Sequence, residues 1–104
     1  MTIKDLEKSF VCLNSSGTGR SISNIYCCDL ASNTLGKIKP DSVWITVIPS
    51  ENTIAAAVAA DIPAVIISEN NTPPQSVIQD AKKYGVSLFL SELPTYETAL
   101  KIPL

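Results

Sequence analysis

VWITVIPSENTIAAAVAADIPAVIIS, residues 43–68, decides the fold, because it holds a strand, a helix and a second strand with only short breaks between them. Val43-Trp44-Ile45-Thr46-Val47-Ile48 is a near-continuous run of β-forming residues, as expected of a strand covered on both faces. Pro49 and Ser50 break that run, and Ser50 is a good N-cap for a helix over 51–60. Ala55, Ala56, Ala57, Ala59 and Ala60 make this helix narrow, so it can approach a sheet closely. Pro63 to Ser68 follows as another buried strand, through Ala64-Val65-Ile66-Ile67. Strand, helix and strand in such close succession imply parallel strands joined by a right-handed crossover.

The same alternation continues toward the C-terminus. Thr72-Pro73-Pro74-Gln75 supplies an N-cap, a proline at the first helical position and Gln at the third, the pattern of a capping box. Val77, Ile78, Ala81 and Tyr84 line one face of the helix that follows, and Gly85 ends it. Val86 to Leu90 reads as a last strand and residues 94–102 as a last helix. The N-terminal part is less regular. Ile3, Leu6 and Phe10 recur at helical spacing behind Thr2 as N-cap, which predicts a helix over 3–9. Phe10 to Leu13 is a short strand, and Asn14 to Gly19 must be a loop. Ile22 to Cys28 alternates like a strand between two different environments, and Asp29 to Ser32 opens a helical turn that stops at Gly36. The expected architecture is α/β: a single three-layer domain over 1–104, with a mostly parallel sheet of about five strands and flanking helices.

Composition narrows the function classes. Hydrophobic residues are 45% of the 104, enough for a core without disulfides or metal, and charged residues are 17%. The net charge of −2 and the lack of a Lys/Arg cluster argue against nucleic acid, whose affinity comes mostly from neutralised phosphates. Lys82-Lys83 and the pair Lys37 and Lys39 are the densest cations. Cys12, Cys27 and Cys28 form no CxxC and have no histidine beside them, so no zinc site and no cofactor is expected. They read as buried free thiols of a reducing compartment. A charged N-terminus and short apolar runs predict a cytoplasmic chain without a membrane span.

Catalysis has few candidates. Without histidine, general acid/base work falls to carboxylates and lysines. Asp29 and Glu51 stand near strand ends, although Asp29 also reads as a helix N-cap and Glu51 as a first-turn acid complementing the helix dipole. With Arg20 they would form the constellation of a small phosphoryl- or acyl-chemistry enzyme. Gly17-Thr18-Gly19-Arg20 lacks the spacing of a phosphate loop and leads into a strand, so it reads as a plain turn. Arg20 can still pair with an anion, with an acid, or across a dimer interface. Ligands of open parallel sheets bind beyond the carboxyl ends of the strands, where helix N-termini offer free N–H groups. That rule selects Thr46, Ser50, Glu51 and Asn52 after the Trp44 strand, Ser68, Asn70 and Asn71 after the next, and Ser91 after the last. Ordinary capping and turn chemistry accounts for the same residues equally well. Trp44 reads as core.

Gly19-Arg20-Ser21-Ile22-Ser23-Asn24-Ile25-Tyr26-Cys27-Cys28-Asp29-Leu30-Ala31-Ser32 resembles the segment after which DRTGG domains are named. Pro40-Asp41-Ser42-Val43-Trp44-Ile45-Thr46, then Glu51-Asn52-Thr53-Ile54-Ala55, is similar to the family's second recurrent stretch, and the likeness runs on through Gly85-Val86-Ser87-Leu88. Arg20 is kept and Ser23 keeps a hydroxyl, while Asn24 and Ile25 replace glycines and the acid is gone. The resemblance implies a fold like the N-terminal domain of HPr kinase/phosphorylase. It also implies a non-catalytic regulatory or adaptor role, homodimerisation, and a small anionic ligand such as an adenine nucleotide. Arg20, Ser23, Asp29, Thr46, Ser50, Glu51, Asn52 and Ser68 are the candidate ligand residues. By the same resemblance, the partner enzyme would be a kinase, a phosphotransacetylase, a pyrophosphatase or a hydrogenase-associated protein.

Overall fold

The computed structural model describes residues 1–104. The first helix, α1 (Ile3–Leu6), starts at Thr2, whose amide donates to Asp5 Oδ2 at 2.9 Å. It leaves the helix after one turn rather than continuing to residue 9, and Phe10 swings into the core as part of the connection. Strand β1 (Val11–Asn14) is followed by β2 (Asn24–Cys27), α2 (Ala31–Lys37), β3 (Ser42–Thr46), α3 (Glu51–Ala59) and β4 (Ala64–Ile67). Then come α4 (Gln75–Tyr84), β5 (Ser87–Leu90) and α5 (Thr95–Leu100).

The five strands form one sheet in the order β1-β5-β4-β3-β2. Strands β2 to β5 are parallel and adjacent in sequence order, with Tyr26, Trp44, Val65 and Leu88 in register across them. Because each crossover steps the same way, a constant handedness puts α2, α3 and α4 on one face. Their core gathers Trp44, Val65, Ile67 and Leu88 with Ile54, Ala57, Val77 and Ala81. The alternate strand residues, Val43, Ile45, Ala64, Ile66 and Phe89, point to the other face and meet Ile3, Leu6, Ile22 and Ile102. Period-two alternation therefore divides strands that are apolar on both sides between two separate cores, and the three layers are complete.

Strand β1 is the exception, running antiparallel to β5 with a register shift between Cys12 and Asn14. Its direction has a consequence for the loop after it. The chain leaves β1 at the amino end of the parallel strands and must reach β2 at the far edge. Four strand spacings are roughly 19 Å, within the roughly 30 Å that residues 15–23 can span. The contacts trace that route along the sheet's amino edge. Ser16 N–H donates to Ser87 Oγ at 3.0 Å, Arg20 reaches Asp61 ahead of β4, and Ser23 N–H donates to the Asp41 carbonyl ahead of β3 at 2.9 Å.

Two local expectations are corrected. Helix α4 is capped by Pro74, not Thr72, and has no side-chain cap; Thr72 N–H instead donates to the Asn70 carbonyl at 3.0 Å. The proline pair keeps Thr72 extended away from the first helical turn. Helix α2 passes through Gly36 to Lys37, ending where Ile38 turns extended. Gly85 does end α4, at φ 72°, where a glycine carries no Cβ penalty. No helix is long and apolar enough to cross a membrane.

Candidate functional site

The carboxyl edge of the sheet brings together most of the residues picked by position, but it binds many of them to one another. Asp29 is not an N-cap; Leu30 holds that place, and the Asp29 carboxylate turns back across the edge. Its Oδ1 accepts from Thr46 Oγ1 and from Val47 N–H, both at 2.9 Å. Thr46 is buried, and its oxygen also accepts from Ile48 N–H at 3.2 Å. Ser68 and Ser91, at the ends of β4 and β5, are buried too. Ser68 Oγ pairs with Thr95 Oγ1 and Ser91 Oγ with Thr98 Oγ1, each at 2.8 Å, so both hydroxyls anchor α5. Asn71 Nδ2 donates to the Val47 carbonyl at 2.6 Å, tying the loop after β4 to the end of β3. Glu69 and Asn70 precede it in left-handed backbone, at φ 62° and 51°. The hydroxyls of Thr46, Ser68 and Ser91, one oxygen of Asp29 and the Asn71 amide are thus engaged within the rim.

What remains open is a groove of about 410 Å³ lined by Pro49, Ser50, Glu51, Asn52, Pro74, Ser76 and Val77. It lies where the N-termini of α3 and α4 come side by side. Ser50 caps α3 through its hydroxyl, which accepts from Thr53 N–H at 3.3 Å, and the loop ahead is braced by Thr53 Oγ1 donating to the Ile48 carbonyl at 2.7 Å. The first intrahelical bonds are Thr53 and Ile54 N–H to Ser50 in α3, and Val77 and Ile78 N–H to Pro74 in α4. The amides of Glu51, Asn52, Gln75 and Ser76 precede them and face outward unpaired by the helix. Two aligned dipoles and four such amides suit a negatively charged group. The exposed Glu51 carboxylate sits on the same rim and opposes a ligand of high charge.

The groove continues between the helices as a second depression of about 360 Å³ lined by Glu51, Asn52, Ile54, Ala55, Val58, Asp80 and Tyr84. Its floor is aliphatic and Tyr84, 55% exposed, closes the far end. Pro74, Ser76 and Val77 were not among the residues selected from the sequence. Their place was implied by it, since consecutive crossover helices on one face must start next to each other.

Sheet order limits the site. The parallel strands step in one direction without reversal, so no crevice opens at a topological switch point. The side-by-side helix starts provide a concavity instead.

Arg20 and Ser23 lie at the opposite edge. Arg20 Nη2 donates to the Asp61 carbonyl at 2.7 Å, Nη1 meets Asp61 Oδ1 at 3.3 Å, and Nε stands 4.0 Å from Asp41 Oδ1. Asp41 and Asp61 both have left-handed backbone, φ 62° and 53°, at the tight turns that enter β3 and β4. One guanidinium thus clamps two turns. Arg20 and Asp29 are separated by the length of β3, roughly 16 Å. Arg20, Asp29 and Glu51 therefore do not converge on one point.

The thiols are not the buried core residues expected. Cys12 and Cys27 are exposed and Cys28 is half-buried, because they sit on or beside the two edge strands of the sheet. Partial burial of its sulfur pushes the Cys27 thiol up, and the Asp29 carboxylate adds to this. Burial also raises Cys12, with Glu7 contributing. Burial opposes ionisation of Cys28 as well, but the polar surroundings given by the Leu30 backbone and the Thr34, Asn33 and Tyr26 side chains bring it below the ordinary thiol value, and Asn33 Nδ2 donates to its sulfur at 3.7 Å. Trp44 is core, its indole N–H donating to the Cys28 carbonyl at 2.7 Å. No group of three or more His, Cys, Asp or Glu residues is placed to hold a metal.

The model of the DRTGG domain matches residues 3–104. No curated protein matches the chain in sequence. Among solved structures, the chain is similar to the CBS and DRTGG domains of the regulatory region of Clostridium perfringens pyrophosphatase, complexed with its activator diadenosine tetraphosphate. The TM-score is 0.72 at 13% identity, over 95% of this chain and 44% of that one. The chain thus spans less than half of that structure, and at this identity the likeness is one of fold.

Proposed function

Because the chain belongs to the DRTGG domain family, we propose that it is a non-catalytic regulatory or adaptor module. In this reading it forms a homodimer and takes a small anionic ligand at the starts of α3 and α4. The observation that carries this is the continuous groove bounded by Pro49–Asn52 and Pro74–Val77, whose amides point outward from two helix N-termini. The similar pyrophosphatase region was solved with a nucleotide activator, which makes adenine nucleotides the first ligands to try. A phosphate would lie at the helix starts and the base along Ile54, Ala55 and Val58 toward Tyr84. Glu51 and Asp80 on this path favour a monophosphate over a triphosphate. Ser50, Glu51 and Asn52 would touch the ligand. Asp29, Thr46 and Ser68 would hold the rim, and Arg20 and Ser23 the far edge of the fold. A partner enzyme of the kinase, phosphotransacetylase, pyrophosphatase or hydrogenase-associated kind would read the ligand state.

The test is thermal unfolding with AMP, ADP, ATP and diadenosine tetraphosphate, with the mass in solution measured alongside. A ligand at 100 times its Kd adds about 2.7 kcal/mol, a rise of more than ~10 °C for a domain of this size. Asn52→Ala and Ser76→Pro should reduce that rise, the second by removing one of the amides. A monomeric mass with no shift for any of the four would refute the reading.

A further inference from the structure

We propose a second anion site, on the other edge of the sheet, that takes a phosphate dianion or a small phosphate monoester. A groove of about 240 Å³ is lined by Asn24, Ile25, Tyr26, Lys37, Lys39 and Ser42. Asn24 is in register with Ser42, and Tyr26 with Trp44, so Asn24, Tyr26 and Ser42 project from one face of the sheet at the starts of β2 and β3. Lys37, in the last turn of α2, and Lys39, just beyond it, flank the opening.

The floor holds the unusual feature. Ser42 is 1% exposed, and its hydroxyl is the one buried side-chain polar atom in the protein without a hydrogen-bond partner. Every other buried hydroxyl of the sheet is paired: Thr46 with Asp29, Ser68 with Thr95, Ser87 with Ser16, Ser91 with Thr98. An orphaned buried hydroxyl is costly and calls for an unseen partner. Nothing acidic lines the groove, and its cations outweigh the negative end of the α2 dipole that lies nearby. Asp41, the nearest acid in sequence, is turned toward Arg20. Lysines act as point charges toward phosphate, and two of them match the charge of roughly −1.5 to −2 that a phosphate monoester carries at pH 7. The small volume admits a phosphate group with a short substituent and excludes a dinucleotide.

The test is a titration of the isotopically labelled protein with inorganic phosphate at constant ionic strength, followed by amide chemical shifts, with sodium acetate as control. Saturable shifts at residues 24–26 and 37–42 are expected with phosphate and not with acetate, separately from any at residues 49–52 and 74–77, where the proposed nucleotide groove would also take phosphate. Lys37→Gln with Lys39→Gln should abolish them, and both are surface changes that leave the fold intact. Ser42→Ala should weaken binding about tenfold, the worth of one hydrogen bond to a charged group. In phosphate-free buffer the same variant should melt no lower than the parent, because it deletes an unsatisfied hydroxyl. Ser50→Ala and Asn52→Ala should leave the shifts at residues 24–26 and 37–42 unchanged, which separates failure of this site from failure of the nucleotide groove. Shifts that acetate reproduces, that appear equally at Lys82 and Lys83, or that survive Ser42→Ala undiminished would overturn the site.

Discussion

Asp29→Ala is the substitution that best separates a structural carboxylate from a reactive one. The side chain makes two hydrogen bonds through one oxygen, to Thr46 Oγ1 and Val47 N–H. Thr46 is fully buried, so its hydroxyl cannot turn to water, and losing a charged acceptor there costs about 1.5 kcal/mol. The Val47 amide is exposed and water replaces its partner, so that loss is about 0.5 kcal/mol. The sum is about 2 kcal/mol. Urea unfolding followed by the emission of the single tryptophan, Trp44, reports it, because that indole is 1% exposed when native. With a slope of roughly 1–2 kcal/mol per molar for a small domain, the midpoint should fall by about 1–2 M without a change in slope. Asp29→Asn keeps an acceptor oxygen but no charge, and should lose about half as much. In the background of Thr46→Val, Asp29→Ala should cost distinctly less, since the two residues share one interaction. If Asp29→Ala left the midpoint within about 0.3 M of the parent, or were additive with Thr46→Val, the carboxylate would not be holding the carboxyl rim together and its role would have to be sought in chemistry.

Other substitutions test other parts of the fold. Gly85→Ala places a Cβ at φ 72° with Ser16 Oγ 3.5 Å away; the strain is mainly conformational, about 1–2 kcal/mol, and should lower the melting temperature by roughly 4–15 °C. Arg20→Ala should cost about 1 kcal/mol, because its ion pairs are largely exposed and contribute little. A loss that leaves Arg20→Lys equally impaired would identify the bond to the Asp61 carbonyl and the fork geometry as what matters. Alkylation followed by peptide mass mapping across pH should place the onset for Cys28 below those for Cys12 and Cys27, since the thiolate is the reactive species. An onset for Cys28 at or above the other two would show that its polar surroundings, the Asn33 amide among them, do not favour the thiolate. Asp5, lowered first by the Thr2 backbone hydrogen bond, stabilises the folded chain at neutral pH and loses that contribution as acid protonates it in the folded state. Asp5→Asn should therefore unfold with a weaker dependence on pH below the ordinary carboxylate range.

Local chemistry was enough to determine the element order and the two-faced burial of the strands. Runs such as Val43–Thr46 and Ala64–Ile67 are apolar at both odd and even positions, which only a sheet covered on both sides can bury. Ser50 as a cap and Gly85 as a terminator are short-range effects, so they too were readable along the chain. The direction of β1 was not, because pairing with β5 depends on residues more than seventy positions away, as the bond from Asn14 Nδ2 to the Val86 carbonyl shows. That direction sends residues 15–23 along the amino edge and so places Arg20 opposite the ligand groove. The states of the polar side chains also waited on the tertiary structure. Asp29, Thr46, Ser68 and Ser91 looked alike in sequence, as small polar residues after strands. Whether each meets a hydroxyl, an amide or open water depends on which distant segment packs against it. The orphaned hydroxyl of Ser42 shows the same dependence, since a serine reveals an empty partner position only after every neighbour has been placed.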